Sequence, residues 1–443
     1  LRTFSAFFAV KGFWFLFSHL KNLLTAEFAK KGRKGRGVAE LIKLGHYPGQ
    51  RMGTAKKTAK ITNPELQRRL AYFGERMDEM VATISELVEI ESPSDDKPAV
   101  DRISEIVAAK FTEVGGVARF HLAREFGNHL QVDFTGDRPG KPVLLLGHYD
   151  TVYPLGTLAS MPCSIADGKL TGPGVLDMKS GIGLMLHALA ALRHWHGGLP
   201  RPVTVFLVSD EEVGSDSSRE ITESLAKKAA AVLVLEPSYG PAGAVKTARK
   251  GVAEYQVKVT GKASHAGLDF QKGVNAILEL ARQIEKVSGF TDLKKGLTVN
   301  VGIVSGGSRV NVVPAEAVAQ VDVRIARMKD AAGIEKKMRS LRPFNRKCKV
   351  QVTGGLNRPP MERTAGVAAL YATAVEIASG LGWKLGEAAV GGGSDGNFTA
   401  GMGIPTLDGL GGVGDGAHAV HEHIVISELP RRAALVAGLI EAV

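Results

Sequence analysis

A chain of 443 residues exceeds the size at which one hydrophobic core usually stops growing, so two domains are expected. Apolar residues make up 44% and charged residues 23%, an ordinary globular balance; Cys163 and Cys348 lie far apart, which argues against a disulfide framework and leaves any metal to nitrogen and oxygen ligands. The net charge of +11 is uneven. Residues 1–51 hold ten Lys/Arg and two Asp/Glu, the other 392 residues 46 and 43, so the body is nearly neutral and no nucleic-acid partner is expected.

The first 51 residues contain nine of the 27 aromatic residues and the basic run Lys30-Lys31-Gly32-Arg33-Lys34-Gly35-Arg36. Lys11 breaks the apolar core a secretory signal needs, and the stretch before His19 is too short and too charged to span a membrane. The reading adopted is a disordered or non-native leader translated from upstream sequence, with a cytoplasmic functional chain starting near Met52. A membrane-surface anchor or a signal stays open.

Apolar residues at three- and four-residue steps predict one helix over 63–90, opened by the Asn63-Pro64 cap, and a second over 99–114. Strands follow at 118–122, 129–134 and 142–147, then helix 181–194, strand 202–209, helix 217–228 and strand 231–235. Continuous apolar runs such as Val143-Leu144-Leu145-Leu146 predict strands covered on both faces, and their alternation with helices predicts an α/β domain with a mostly parallel central sheet. After Gly243 the pattern changes to strand 251–261, helix 274–287, strands 297–304 and 317–325, helix 331–341 and strand 349–352. That β-α-β-β-α-β order predicts a ferredoxin-like α+β domain over 246–357, inserted between catalytic parts 52–245 and 358–443; helix 366–380 resumes the first pattern.

The polar residues that carry chemistry follow the apolar runs. His148 and Asp150, alternate residues of an extended segment, share a face, so Asp150 can accept the second ring N–H of His148. Asp177 sits in the Gly-rich turn Gly172-Pro173-Gly174-Val175-Leu176-Asp177, where it either caps the next helix or projects as a carboxylate able to bridge two metals. Asp210-Glu211-Glu212 would repel one another if packed without a cation; a solvated turn is the bland alternative. If a metal is present, one acid can bind it while its neighbour serves as general base. Glu236 repeats the strand-then-acid pattern, and the tail supplies His418, His421 and His423 after a Gly-rich approach. Such side chains suit zinc where thiolates are missing, and placement at carboxyl ends of sheet strands is where open α/β sheets bind ligands.

From about Gly74 to Val443 these motifs, in this order, resemble the zinc metallopeptidase family of glutamate carboxypeptidases, acetylornithine deacetylases and succinyl-diaminopimelate desuccinylases. The glutamate carboxypeptidase branch is nearest, on Gly147-His148-Tyr149-Asp150-Thr151-Val152-Tyr153, Gly261-Lys262-Ala263-Ser264-His265-Ala266-Gly267 and Ile426-Ser427-Glu428-Leu429-Pro430-Arg431-Arg432. The resemblance implies two zinc ions bridged by Asp177, one completed by His148 and Glu236, the other by Glu212 and His418. It implies Glu211 as general base and Asp150 as the residue orienting His148. It further implies that the insert is a dimerisation or lid domain in which His265 polarises the scissile carbonyl, Asn311 lines the site and Arg324 clamps a substrate carboxylate. Gly393, in Gly391-Gly392-Gly393-Ser394-Asp395, falls on the substrate-pocket loop. Ser180 replaces a usual glycine, His423 stands where an aromatic residue is usual, and His421 rivals His418 as ligand.

The expected activity is dinuclear-zinc hydrolysis of an amide bond next to a carboxylate-bearing residue, a carboxypeptidase releasing a C-terminal amino acid such as glutamate from a small peptide. The alternatives are an N-acyl amino acid deacylase and, from another class, a non-catalytic metal-stabilised interaction protein. An unpaired edge strand on the insert allows a homodimer by sheet extension.

Overall fold

The computed structural model describes residues 63–443; the expectations for the leader lie outside them. The expected first helix is two, α1 (Pro64–Glu75) and α2 (Met77–Val88), because Arg76 leaves helical geometry at φ −109°, ψ 17° and ends α1 with a bond from its N–H to the Phe73 carbonyl. Asn63 caps α1, its side chain accepting from Glu65 N at 3.0 Å, and Asp96 caps α3 (Lys97–Glu113) through Ala99 N at 2.9 Å.

The central sheet contains β1 (Val117–His121), β2 (His129–Phe134), β3 (Val143–His148), β4 (Val203–Val208) and β5 (Ala231–Val234). Their order is β1-β2-β4-β3-β5, with Thr406–Leu407 added beyond β5. The pairings β4/β3, β3/β5 and β5 with Thr406–Leu407 are parallel, while β1/β2 and β2/β4 are antiparallel, so the parallel core carries an antiparallel edge. Every residue of β3 and β4 is buried. Period-two alternation divides them between two layers: Val143 and Leu145 join the main core with α2, α4 (Ser180–His196) and α10 (Leu429–Ala442), whereas Leu144 and Leu146 join Phe206, Val208 and Ala226 of α5 (Arg219–Lys228). The helical stretch Val175–His196 is long and apolar enough to cross a membrane, but 83% of its apolar 18-residue window is buried, within this core.

Residues beyond Gly243 first form β6 (Val245–Arg249). A second sheet follows, made of β7 (Gly251–Thr260), β8 (Thr298–Gly306), β9 (Glu316–Ile325) and β10 (Lys349–Arg358). Its order is β8-β9-β7-β10, all antiparallel, and α6 (Ala276–Ser288) and α7 (Met328–Arg339) share its core with Ala253, Tyr255, Val257 and Val259. β10 runs six residues beyond the expected end at 352. Gly354 and Gly355 end the apolar alternation in the sequence, yet the backbone stays paired with β7 and delivers Asn357 to Gly214 and Arg358 to Glu211. The chain then returns through α8 (Ala365–Gly380), β11 (Glu387–Val390), parallel to β6, and the short helix α9 (Gly396–Gly401).

Candidate metal centre and active site

β3 ends at His148, 1% exposed, and β5 leads through Leu235 to Glu236, 6% exposed. Gly147 permits this close packing: a Cβ there would lie 2.4 Å from Met178 Cε, and Met178 Sδ accepts from His148 N at 3.2 Å. Asp177 does not follow a strand of the central sheet; it sits in an irregular turn just before α4. His418 likewise lies in a turn, between the short paired strands Gly414–Asp415 and His423–Val425, with φ +64°, a left-handed conformation uncommon for histidine. The strand-end expectation therefore holds for His148, Glu236 and the Glu211-Glu212 pair after β4, and fails for Asp177 and His418.

Asp177 lies between the two histidines. Its Oδ1 is 3.1 Å from His148 Nε2, and its Oδ2 is 3.5 Å from His418 Nε2. On the first side, His148 Nε2 is 3.4 Å from Glu236 Oε1; on the second, His418 Nε2 is 3.1 Å from Glu212 Oε2. Five side chains thus form two groups sharing one carboxylate, and ligand atoms of His148, Asp177 and Glu212 all lie within 4.8 Å of one another. This nitrogen and oxygen donor set fits a divalent cation such as zinc. His421 is exposed and contributes only its carbonyl, to His423 Nδ1, so the geometry favours His418 over its rival.

The three adjacent acids separate. Asp210 is wholly buried and Oδ2 accepts from Ser217 N at 2.8 Å and Ser217 Oγ at 2.7 Å. Glu212 faces His418. Glu211 Oε1 pairs with Arg358 Nη2 at 3.1 Å and forms no ion pair with either histidine. Burial raises the Glu211 pKa well above the usual carboxylate value, with Arg358 opposing the shift. For His148, burial opposes the charge, but hydrogen bonds to Asp150, Asp177 and Glu236 outweigh it and push its pKa well up. For Asp177, burial is outweighed by the two histidines, which hold it well below the usual range.

Asp150 is 0% exposed. Its Oδ2 accepts from Ser94 Oγ at 2.7 Å and Glu212 N at 3.2 Å, its Oδ1 from Glu211 N at 3.3 Å. His148 Nδ1 lies 3.4 Å from Asp150 Oδ1 but 3.0 Å from the Asp150 carbonyl, the nearer acceptor. Asp150 thus meets the ring more closely through its carbonyl than through its carboxylate, which also ties the Glu211-Glu212 turn to β3.

Three residues of this neighbourhood escaped the sequence reading. Glu422, wholly buried, accepts from Leu176 N at 2.7 Å, Asp177 N at 2.9 Å, Gly174 N at 3.1 Å and Tyr153 Oη at 2.6 Å, holding the Asp177 turn. Arg249 is bidentate to Asp408 at 2.8 and 2.9 Å, and donates to Glu236 Oε2 at 3.2 Å and to the Gly393 carbonyl at 3.0 Å. Arg358 binds Asp395 as well as Glu211. The signals were faint: Glu422 lies four residues after His418, and the two arginines sit at strand ends, where sequence places charges of every role.

Two cavities meet at the cluster. One, about 850 Å³, is lined on the side of the central sheet by Leu176, Pro237, Lys246, Arg249 and Val413; the other, about 530 Å³, is lined by Glu211, Glu212, Arg324 and Arg358. Asp177, Glu236, Gly392, Gly393 and His418 line both. Arg324 therefore faces the cluster, although its guanidinium is held by Asp322 at 2.9–3.0 Å. His265 and Asn311 line neither cavity. Both are exposed: the Ser264–His265 segment pairs with Val312–Val313, and His265 Nδ1 accepts from Gly267 N and Leu268 N at 3.1 Å.

Residues 144–442 match the model of peptidase family M20/M25/M40. The chain belongs to this family. Carboxypeptidase G2 of Pseudomonas sp. (strain RS-16) is 33% identical over 373 residues, spanning 82% of this chain and 88% of its own. Acetylornithine deacetylase of Myxococcus xanthus is 29% identical over 257 residues, 51% of this chain and 63% of its own. Among solved structures, a tripeptidase from Staphylococcus aureus superposes with a TM-score of 0.71 at 24% identity, covering 82% of this chain and 98% of that one, and bears on the fold. Family membership makes this protein a metallopeptidase-type hydrolase, and the non-catalytic alternative falls away.

Proposed function

We propose that this protein is a dinuclear-zinc carboxypeptidase that cleaves the amide bond preceding a carboxylate-bearing residue such as glutamate. The observation that carries the reading is Asp177, with one oxygen toward each histidine, beside a glutamate, Glu211, that faces neither. In this reading His148 and Glu236 hold one ion, Glu212 and His418 the other, and Asp177 both. Bound zinc supplies a water of lowered pKa and a Lewis acid for the scissile carbonyl.

Glu211 accepts the proton of the attacking water and returns it to the leaving nitrogen. Its burial supports this role, since a raised pKa brings a carboxylate toward the neutral range where a base must also act as acid. Asp150 keeps His148 in the tautomer that presents Nε2 to the cluster. Arg324 takes the substrate carboxylate in the smaller cavity as a planar bidentate donor, exchanging Asp322 for it. Residues 246–357 act as a ferredoxin-like lid, and closure brings His265 and Asn311 to the carbonyl. Gly393 lines both cavities and its carbonyl holds Arg249, so the backbone there borders the substrate without a side chain in the way.

A second reading, N-acyl amino acid deacylase, shares every residue above and is favoured by the likeness to acetylornithine deacetylase. Zinc-loaded protein assayed with and without chelator, on dipeptides ending in glutamate and on N-acyl amino acids, separates the two by relative kcat/KM. If no member of the panel were hydrolysed in a chelator-sensitive way, both would fall.

A further inference from the structure

The larger cavity holds a charge that the proposed reaction does not use. Lys246 lies in β6 and is 8% exposed. Strand pairing fixes its backbone, which donates to the Asp408 carbonyl at 2.7 Å and accepts from Asp408 N at 3.2 Å. Its stem runs over Gly409, whose φ is +73°; a Cβ there would sit 3.0 Å from Lys246 Cγ, so glycine leaves the lysine its channel.

The ammonium makes no hydrogen bond or ion pair with any described residue. The acids nearest it are engaged elsewhere: Arg249 takes both oxygens of Asp408 and one of Glu236. The amine is not sealed from the cavity either, being absent from the fully enclosed polar atoms that lack partners. Burial, followed by neighbouring Arg249, lowers the Lys246 pKa from its ordinary value, as expected of an amine whose charge is not compensated. A buried, unpaired ammonium is costly, and an anion entering from the cavity would offset that cost.

The side on which Lys246 stands decides which part of the substrate it meets. An amide lying at the residues common to both cavities divides the substrate in two. If the residue to be released reaches toward Arg324, the acyl portion fills the larger cavity.

We infer that Lys246 binds a carboxylate on the acyl portion, so that this enzyme prefers substrates anionic on both sides of the scissile amide. The inference deepens the amidohydrolase reading and rests on it. Lys246 is thus a specificity residue acting at a point separate from the carboxylate clamp Arg324.

The test compares N-glutaryl-glutamate with N-valeryl-glutamate, acyl groups of equal length that differ in the terminal charge. Zinc-loaded wild-type protein is expected to favour the glutaryl substrate in kcat/KM. Lys246→Met should cut that ratio roughly 10- to 100-fold, the factor of a hydrogen bond to a charged group, and Lys246→Arg should keep most of it. A ratio unchanged in Lys246→Met overturns the inference. Thermal melting supplies a second readout: removal of an unpaired buried charge should leave Tm level or higher, whereas a fall in Tm with an unchanged ratio would make Lys246 merely structural. If the wild type hydrolysed neither substrate, the proposed function itself would fail. Calorimetric binding of glutarate against valerate then decides Lys246 alone: a glutarate preference lost in Lys246→Met supports it, and no preference in the wild type refutes it.

Discussion

His148 and His265 both lie at the ends of short strands; the first is expected to hold a metal, the second to polarise the reacting carbonyl. Their surroundings differ in kind. His148 is buried, with Nδ1 held by Asp150 and Nε2 between Asp177 and Glu236, so the central sheet presents a group already in place. His265 is exposed, and its Nδ1 is occupied by two N–H groups of its own turn. Arg324 is intermediate: it reaches the cavity but is tied to Asp322. The cluster around Asp177 is therefore held in place by the central sheet and the turns packed on it, whereas in the proposed mechanism the groups from the second sheet still have to be assembled. Catalysis should separate along that line, with ligand and base defects independent of the insert and insert defects independent of metal.

The largest effect is expected from the catalytic side. Glu211→Gln should lower kcat by about 10²–10⁴, the range of a lost general base, with zinc content near normal because Glu211 faces Arg358 rather than a histidine. Zinc content measured after dialysis is the decisive companion value, since loss of metal with activity would make Glu211 a ligand.

The next test sits on the insert. His265→Ala should lower kcat by about 10²-fold, as for a lost donor to a developing oxyanion, with metal affinity and Tm unchanged for an exposed side chain. Unaltered kcat would mean that the site is complete on the catalytic sheet and that the insert serves substrate entry alone.

These contrasts follow how far the sequence could be read. The buried strands were legible because continuous apolar runs such as Val143–Leu146 have few other structural uses, and Glu236 and Glu211-Glu212 were legible because one directly ends such a run and the others follow one within four residues. Asp177 and His418 stand in Gly-rich turns whose course depends on distant partners, so the sequence names them as candidates and only motif likeness assigns their roles. Glu422 was hidden for the same reason: its four hydrogen bonds run to Tyr153 and the 174–177 turn, some 250 residues earlier in the chain. The break at Arg76 was invisible because the apolar periodicity of α1 continues into α2. The extension of β10 was invisible because two glycines interrupt the pattern while the backbone pairing goes on.

Glu422 sharpens the comparison from the ligand side. It touches no substrate cavity, yet it fixes the turn carrying the shared carboxylate. Glu422→Gln would turn an amide NH₂ toward donors that now point at a carboxylate oxygen, leaving at least one buried N–H unpaired. Metal affinity should fall about 10- to 100-fold, in the range found for residues that orient ligands, and kcat at saturating zinc should fall much less. Equal loss of both would place Glu422 in the chemistry rather than behind it.

The smallest effect concerns protons at the cluster around Asp177. In metal-free protein, hydrogen bonds to Asp177 and then Glu212 raise His418 to about 10, partial burial opposing them. A folded-state pKa above the unfolded value of about 6.5 gives stability that is fully present below that value and lost as pH rises through about 10. The contribution is modest because His418 is half exposed and its ion pairs are screened by solvent. Metal binding has to displace the same proton, so zinc affinity should change in the opposite direction, rising about tenfold per pH unit for each proton released. Competition with a chromogenic chelator at several pH values between 6.5 and 9 measures this, alongside thermal melts of the metal-free and zinc-loaded forms. The metal-free Tm should decline gently over that range while zinc affinity climbs. Flat zinc affinity would mean that His418 stands neutral before the metal arrives and that its pairing with Asp177 and Glu212 does not raise its pKa.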